Sequence, residues 1–182
     1  ADKISLAAGW NLISFDVEIE SNGPADVFAD LIAAGNLVAA TGYDNGALFY
    51  DPTLPPFLNS LTAIVPGFGY WVKVNSGASI TVEGANLGGD FAKDLAAGWK
   101  LIGYWPENSQ APADAFVSII SAGNLVAVTG YNNGALFFDP TLPPFLNSLT
   151  SMENGFGYWV KVNSAVPGFV YPSAGVAKQS VS

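Results

Sequence analysis

The sequence contains no cysteine and no histidine. Disulfide bonds, zinc sites built from Cys and His, and catalytic triads that depend on His are therefore excluded. Arginine is also absent, and 6 lysines stand against 15 acidic residues, which gives a net charge of −9. Because nucleic acids and anionic membrane surfaces are bound by clusters of basic residues, we expect neither as a partner.

Charged residues are scarce, and long hydrophobic runs are missing. Only 12% of the residues are charged and 50% are hydrophobic, whereas about 25% are charged in a typical soluble domain. No apolar run approaches the roughly 20 residues that span a bilayer, so we expect no membrane insertion. The apolar excess therefore belongs to the core or to surface that a partner covers.

An internal repeat organises the chain. LAAGW at 6–10 returns at 95–99, and residues 34–76 differ from residues 122–164 at only seven of 43 positions. The first third of each copy is much less alike. We therefore predict two tandem units, 1–88 and 89–182, the second of which ends in a tail at 172–182.

Each unit is predicted to be small and dominated by antiparallel strands. In the first unit we expect strands at 3–6, 10–15, 37–43, 47–50, 69–74 and 79–82, the last two paired as a hairpin. One main helix is expected to begin near Pro24 and to end before Gly35. Asn45-Gly46 predicts a type I′ turn, because both residues can adopt positive φ. The predicted fold class is α+β: two tandem sheet or barrel-like units, each with one main helix and a proline-rich crossing.

The segment DPTLPPFLNSLT occurs unchanged at 51–62 and 139–150. Its consecutive prolines exclude the interior of a helix or strand and predict an extended crossing. In one interpretation the segment covers an end of the sheet, and Phe57, Leu58 and Leu61 point into the core. In the other it is a recognition loop, whose candidate contact residues are Tyr50, Asp51, Phe57 and Asn59 in the first unit and Asp139, Phe145 and Asn147 in the second.

The motif GFGYWVKVNS closes both units and predicts a strand in which Trp71 and Lys73 share one face. If that face is wet, Trp71 and its copy Trp159 are candidates for stacking on a sugar or for anchoring an interface. The alternative is a buried Trp71 beside a Lys73 that extends to solvent. Trp10 and Trp99, within LAAGW, are expected in the core.

Carboxylates are the remaining candidates for chemistry. Asp51 and Asp139 precede prolines, where an Asp commonly caps neighbouring backbone N–H groups. Calcium is an alternative, with oxygens from Asp44 and Asp51, but Asn132 replaces Asp44 in the second unit. We therefore expect no enzymatic activity and no cofactor.

The motifs LAAGWNLISF and GFGYWVKV resemble a repeat of large secreted and cell-surface proteins of bacteria. In that family, which has no settled biochemical function, a G-W-N-L-[IV]-S strand opens each unit and a G-x-G-Y-W-V strand closes it. The resemblance covers both units, but the second reads GWKLIGYW and so departs at the positions of Asn11 and Ser14. It implies an extracellular location and a non-catalytic, modular role, and it implies no ligand.

These observations predict a non-enzymatic structural protein that assembles with copies of itself, as a filament, sheath or surface-layer subunit. The start Ala-Asp-Lys is expected of a secreted protein whose signal peptide has been removed. The tail is expected to be held by its own molecule or by a neighbouring subunit. The alternative function is a carbohydrate-binding or adhesion module that uses exposed aromatic side chains, with polysaccharide as the partner.

Overall fold

The computed structural model describes residues 2–173. Strands account for 41% of the residues and helices for 14%, which confirms the prediction of a β-dominated fold with few helices. Residues 174–182, most of the predicted tail, lie outside the described part. We refer to residues 2–88 as the first half and to residues 89–173 as the second half.

The first half consists mostly of short strands. They are Asp2–Leu6 (β1), Gly9–Ile13 (β2), Val17–Ile19 (β3), Leu37–Tyr43 (β4), Ala47–Tyr50 (β5), Tyr70–Val74 (β6), Ala78–Val82 (β7) and Gly84–Asn86 (β8). Its helical segments are Pro24–Val27 (α1), Ala29–Ala33 (α2) and a 3₁₀ turn at Pro56–Leu58.

The second half repeats most of this order. Its strands are Lys93–Leu95 (β9), Gly98–Gly103 (β10), Leu125–Tyr131 (β11), Ala135–Phe138 (β12), Gly157–Val162 (β13) and Val166–Phe169 (β14). Its helical segments are Pro112–Ala115 (α3), Val117–Ser121 (α4) and a 3₁₀ turn at Pro144–Leu146.

The helical segment of each half is divided, which corrects the expectation of one main helix. Phe28 lies between α1 and α2 with φ −102° and ψ 18°, outside the helical region, and its side chain is fully buried. Phe116 divides α3 from α4 in the same way. Within residues 2–173, none of the helices is both long and apolar enough to cross a bilayer.

Each half contains a four-stranded antiparallel sheet with the same arrangement. The strand orders are β2-β6-β4-β5 and β10-β13-β11-β12. Among the described residues, the two edge strands of each sheet do not pair with each other, so neither sheet closes into a barrel. Alternate residues of β6 point into the core of the first half, where Tyr70, Val72 and Val74 are buried. The tight turns that link β4 to β5 and β11 to β12 contain the predicted residues with positive φ, Asn45 and Asn133.

Strand β7 has a different partner from the one expected. It pairs with β1 rather than with β6, in a register from Asp2↔Val82 to Leu6↔Ala78. Both strands alternate buried and exposed residues, so this pairing places Ile4 and Ile80 in the same core. Two further two-stranded sheets, β3-β8 and β9-β14, complete the described fold.

The two halves meet through the edge strands β2 and β10, and their contacts are reciprocal. Isolated bridges join Ile13 to Phe156 and Phe68 to Ile102. The backbone N–H of Ser14 donates to Gly155 O at 2.9 Å, and that of Gly103 donates to Gly67 O at 3.0 Å. Each half therefore covers the exposed edge of the other, which removes two of the free edges at which a sheet could pair further.

Two glycines allow this close approach. A Cβ atom on Gly157 would lie 3.0 Å from Cδ1 of Leu12, and one on Gly69 would lie 3.1 Å from Cδ1 of Leu101. Leu12 and Leu101 are buried but belong to neither hydrophobic core. A leucine of the other half therefore packs against the second glycine of each GFGYW motif.

Ser14 and Gly103 occupy equivalent positions in the two halves and lie against each other. A Cβ atom on Gly103 would be 2.5 Å from Cβ of Ser14, which no real pair of side chains tolerates. Ser14 Oγ donates to Phe156 O at 2.6 Å and accepts from the backbone N–H of Tyr104 at 3.2 Å. One of the two departures of the second unit from the G-W-N-L-I-S pattern, at the position of Ser14, thus occurs where there is room for one side chain only.

Candidate interaction surfaces

The duplicated proline-rich segment forms two protruding apolar turns, residues 54–58 (knob 1) and 142–146 (knob 2). The rings of Phe57 and Phe145 are each 85% exposed, and Leu58 and Leu146 are also exposed. The expectation that Phe57 and Leu58 point into the core is therefore wrong. The 3₁₀ turn directs both outward, while Leu61, which follows it, is buried as expected.

Hydrogen bonds within the segment hold each knob in place. Asn59 Oδ1 accepts from the backbone N–H of Asp51 at 2.9 Å, and its Nδ2 donates to Asp51 O at 3.1 Å. Asp51 Oδ1 accepts from both the backbone N–H and the hydroxyl of Thr53. The same bonds recur around Asp139 and Asn147 in the second half. Identical sequence thus gives the same internally braced loop twice.

The bonds from Thr53 also affect the charge of the loop. They favour the ionised carboxylate and lower the pKa of Asp51, the backbone bond being the larger cause. Asp139 has a lowered pKa through its bonds from Thr141, with the hydroxyl as the larger cause. Each knob therefore has a negative charge at its base at neutral pH. Tyr50 precedes the loop, is half-buried against the core and has a raised pKa, mainly because of burial.

The outer face of each four-stranded sheet carries aromatic side chains. Trp71 is half-buried, and its ring lies 6.3 Å from that of Trp10 in an edge-to-face arrangement. Trp10 and Trp99 are each 40% exposed, so the expectation that they belong to the core is wrong. They lie on the face opposite the core side of their strands.

Each aromatic face is completed by a tyrosine from the other half. The Tyr131 ring lies 5.3 Å from that of Trp71, and the Tyr43 ring lies 5.3 Å from that of Trp159. The result is two open clefts that contain residues of both halves. Cleft 1 is lined by Trp10, Thr41, Trp71 and Tyr131, and cleft 2 by Tyr43, Trp99, Thr129 and Trp159.

The clefts are similar in size and have one lysine each at their margin. Their volumes are about 380 Å³ for cleft 1 and about 440 Å³ for cleft 2. Lys73 Nζ lies 5.7 Å from the centre of the Trp10 ring, and Lys161 Nζ lies 5.8 Å from that of Trp99. These distances are within the range of cation–π attraction. Each cleft is therefore aromatic in its interior and positively charged at one side.

A third depression, with a volume of about 370 Å³, lies between the halves beside cleft 1. Trp10 and Tyr131 form its aromatic part, and its polar lining includes Lys3, Ser5, Asn132 and Asn133. We call it the polar groove.

The equivalent contact on the other side of the molecule is made by different side chains. A Cβ atom on Gly67 would lie 2.9 Å from the side chain of Phe91 and 3.1 Å from that of Lys93. Lys93 Nζ lies 3.2 Å from the centre of the Phe68 ring. Burial, followed by the charge of Lys100, lowers the pKa of Lys93 to about 8. The side chains at this contact thus differ between the two halves, since Gly155 faces Ile4 where Gly67 faces Phe91 and Lys93.

The acidic residues considered for calcium are separately engaged. Asp44 lies 3.8 Å from the ammonium group of Lys100 across the two halves, and Asp51 accepts the two bonds from Thr53 described above. Among residues 2–173, no group of three or more acidic side chains is close enough together to hold a metal ion.

Sequence reasoning missed several residues of these surfaces. The sequence pattern predicts only a strand at Tyr43, and it predicts a core position for Trp10 and Trp99. Their roles depend on contacts between the halves, for which a single strand pattern carries no signal. The alternation of charge and aromatic residues in YWVKV leaves an exposed and a buried Trp71 as alternatives, and the structure shows Trp71 and Trp159 half-buried on the outer face.

Comparisons of the chain with models of protein families, with characterised proteins and with solved structures find no match. The surfaces of the molecule itself are therefore the basis of a functional proposal.

Proposed function

We propose that this chain is a non-enzymatic, extracellular structural protein that assembles with copies of itself as a subunit of a filament, sheath or surface layer. We further propose that it consists of two copies of one unit, 1–88 and 89–182. One observation carries the proposal: two identical knobs present phenylalanine rings that are 85% exposed.

An exposed phenylalanine on a braced loop favours the formation of a protein interface. Burying a Phe side chain is favourable by about 1.5–3 kcal/mol, so an exposed ring leaves that free energy available for a partner. Internal hydrogen bonds hold each knob, so binding orders little additional chain. The scarcity of charge in the whole chain is consistent with further surface being covered by partners.

The remaining elements of the proposal come from composition and from the resemblance to bacterial surface repeats. The chain has no His or Cys for proton transfer or nucleophilic attack. The Asp residues of the knobs cap their own loops. A secreted, cell-surface location follows from the resemblance, and repeats of that kind are modular rather than catalytic.

The test is the size distribution of the purified protein at increasing concentration, by light scattering and negative-stain electron microscopy. We expect ordered oligomers or filaments. The double variant Phe57→Ser plus Phe145→Ser should remain a monomer, because both apolar anchors are removed.

Val117→Ser is the matched control, because it removes another exposed apolar side chain, on α4, and should assemble like the original protein. Monodisperse 18.9 kDa particles at high concentration would refute the proposal.

A second function, binding of a neutral polysaccharide, is favoured by the polar groove. Its aromatic rings and asparagine amides match the faces and hydroxyl groups of a sugar. If this function is correct, Trp10→Ala should abolish retention on a polysaccharide column. Trp99→Ala is the control, because Trp99 is as exposed as Trp10 but does not line the polar groove.

A further inference from the structure

The knobs and the clefts are present in equal number, and neither knob fills a cleft of its own chain. Phe57 and Phe145 are too exposed to lie between the aromatic walls of cleft 1 or cleft 2. Each copy of the chain therefore presents two apolar knobs and two aromatic clefts that do not bind each other within that copy.

The two kinds of surface are complementary in chemistry. A Phe or Leu side chain is small enough to enter an open space of about 380–440 Å³. A phenylalanine ring there would meet Trp and Tyr rings, and aromatic pairs attract each other beyond the effect of buried area.

The charges at the two surfaces are also opposite. The base of each knob has an ionised Asp51 or Asp139, and the margin of each cleft has Lys73 or Lys161. In a chain with a net charge of −9 and six lysines, the placement of one lysine beside each cleft favours an acidic partner there. Such complementarity selects orientation and increases the rate of encounter.

We propose that a knob of one copy docks in an aromatic cleft of another copy, so that the clefts are the receptor surface for the assembly proposed above. This inference rests on that proposed function and names the contact responsible for it. It also gives the halves a joint role, because Tyr131 and Tyr43 complete clefts whose other walls belong to the opposite half.

The type of contact determines the kind of assembly, and the number of contacts determines its strength. A knob in a cleft is a head-to-tail contact between different surfaces, and such contacts generate rings or open filaments rather than closed two-fold dimers. A single contact through a few side chains is far smaller than the roughly 800 Å² per partner of a stable interface. Two knobs and two clefts in each copy supply the additional strength through multivalency.

The absence of cysteine allows a direct test by disulfide cross-linking. One preparation has Thr41→Cys in cleft 1, and the other has Leu58→Cys in knob 1 with Phe57 unchanged. After mixing and mild oxidation, we expect about tenfold more mixed dimer than in the control mixture, because docking raises the effective concentration of the two thiols. Mass spectrometry of the cross-linked peptide identifies the pair of residues.

The control mixture replaces Thr41→Cys by Ser21→Cys, an exposed position outside both surfaces. The pair Thr129→Cys and Leu146→Cys repeats the experiment at cleft 2 and knob 2, and circular dichroism verifies that every variant is folded. Equal yields in test and control mixtures would refute docking of knobs in clefts.

Light scattering on the same samples separates this inference from the proposed function. If the protein assembles but the specific cross-link does not form, the proposal of self-assembly is retained and the proposal that the clefts receive the knobs is refuted. A monomeric protein with no cross-link would refute both. Retention on a polysaccharide column that is lost in Trp71→Ala, without cross-linking, would instead identify a sugar as the occupant of cleft 1.

Discussion

The carboxyl group of Asp2 is buried at the start of β1, and its Oδ2 accepts a hydrogen bond from the backbone N–H of Asp16 at 3.0 Å. Burial is the main reason that the pKa of Asp2 rises to about 6, and the charge of nearby Asp16 raises it further. Asp16 in turn accepts a hydrogen bond from Asn154 of the second half. A single carboxyl group thus links the pH of the solution to the stability of a contact between the halves.

Replacement of Asp2 by Asn is predicted to stabilise the protein at neutral pH. The folded state binds the Asp2 proton more tightly than the unfolded state does. The stabilisation that this tighter proton binding provides is therefore complete below about pH 4 and is lost as pH rises through about 6. We expect Asp2→Asn to increase the free energy of unfolding by about 1 kcal/mol at pH 7.5, allowing for solvent screening. Urea unfolding at pH 4.0 and 7.5 measures the difference.

Asp30→Asn, which removes an exposed acidic charge on α2, serves as the control and should show no such pH dependence. An Asp2→Asn variant with the same gain at both pH values would contradict the assignment.

At the scale of elements, the structure is organised by the edges of its sheets. β2 and β10 are edge strands of their own sheets, and each meets the segment that precedes the central GYWVKV strand of the other half. Gly69 and Gly157 permit the approach, and Ser14 occupies the space left by Gly103. The contact between the halves is therefore backbone-mediated and sensitive to single methyl groups.

Exchanging Ser14 and Gly103 tests this arrangement. Gly103→Ser should lower the free energy of unfolding by about 1–3 kcal/mol, because two side chains would occupy one space. Ser14→Gly alone should cost about 1 kcal/mol through its lost hydrogen bonds. The double variant Ser14→Gly plus Gly103→Ser should recover most of the stability, which a double-mutant cycle by urea unfolding would measure. Additive losses in the double variant would show that the positions do not compete.

Local patterns predicted the elements better than their partners. The strands around Leu37–Tyr43 and Tyr70–Val74 and the positive φ of Asn45 followed from propensity and turn chemistry. The pairing of β7 with β1 did not follow from them, because both strands have the same alternation and nothing local selects between a nearby partner and a distant one.

The candidate site shows the same limit. The repetition and the prolines of the knobs predicted a loop with unusual surface properties, but not the outward direction of Phe57. Its neighbours Leu58 and Leu61 are equally apolar, and only the 3₁₀ turn decides which of them reaches the core. The outer positions of Trp10 and Trp99 follow from the pairing of their strands with β6 and β13, opposite Lys73 and Lys161, which the LAAGW motif alone does not encode.

At the scale of the whole molecule, each half completes features of the other. Leu12 and Leu101 are buried and each packs against a glycine of the opposite half, and each aromatic cleft includes one tyrosine from across the interface. Such mutual coverage implies that the halves depend on each other for stability even though each has its own core.

This interdependence predicts one cooperative unfolding transition. Leu31→Ala, in the core of the first half, should lower the free energy of unfolding by about 2–5 kcal/mol. The loss should reduce hydrogen-exchange protection in β11 and β13 of the second half as much as in β4 and β6. Ile119→Ala, the corresponding change in the second half, should have the reciprocal effect. Unchanged protection in the half that was not mutated would show two independent domains.

The meeting of Ser14 with Gly103 also restricts how the two copies can evolve. Residues 34–76 and 122–164 can be kept alike by copying one over the other, because the contacts that they make across the halves, such as those of Gly69 and Gly157, are the same in both copies. Copying the opening segment in the same way would place either two serines or two glycines where one of each fits. The first outcome produces a steric clash and the second removes the hydrogen bonds of Ser14. Selection against both outcomes gives the duplicated gene a physical reason to remain unequal at its start while its remainder stays uniform.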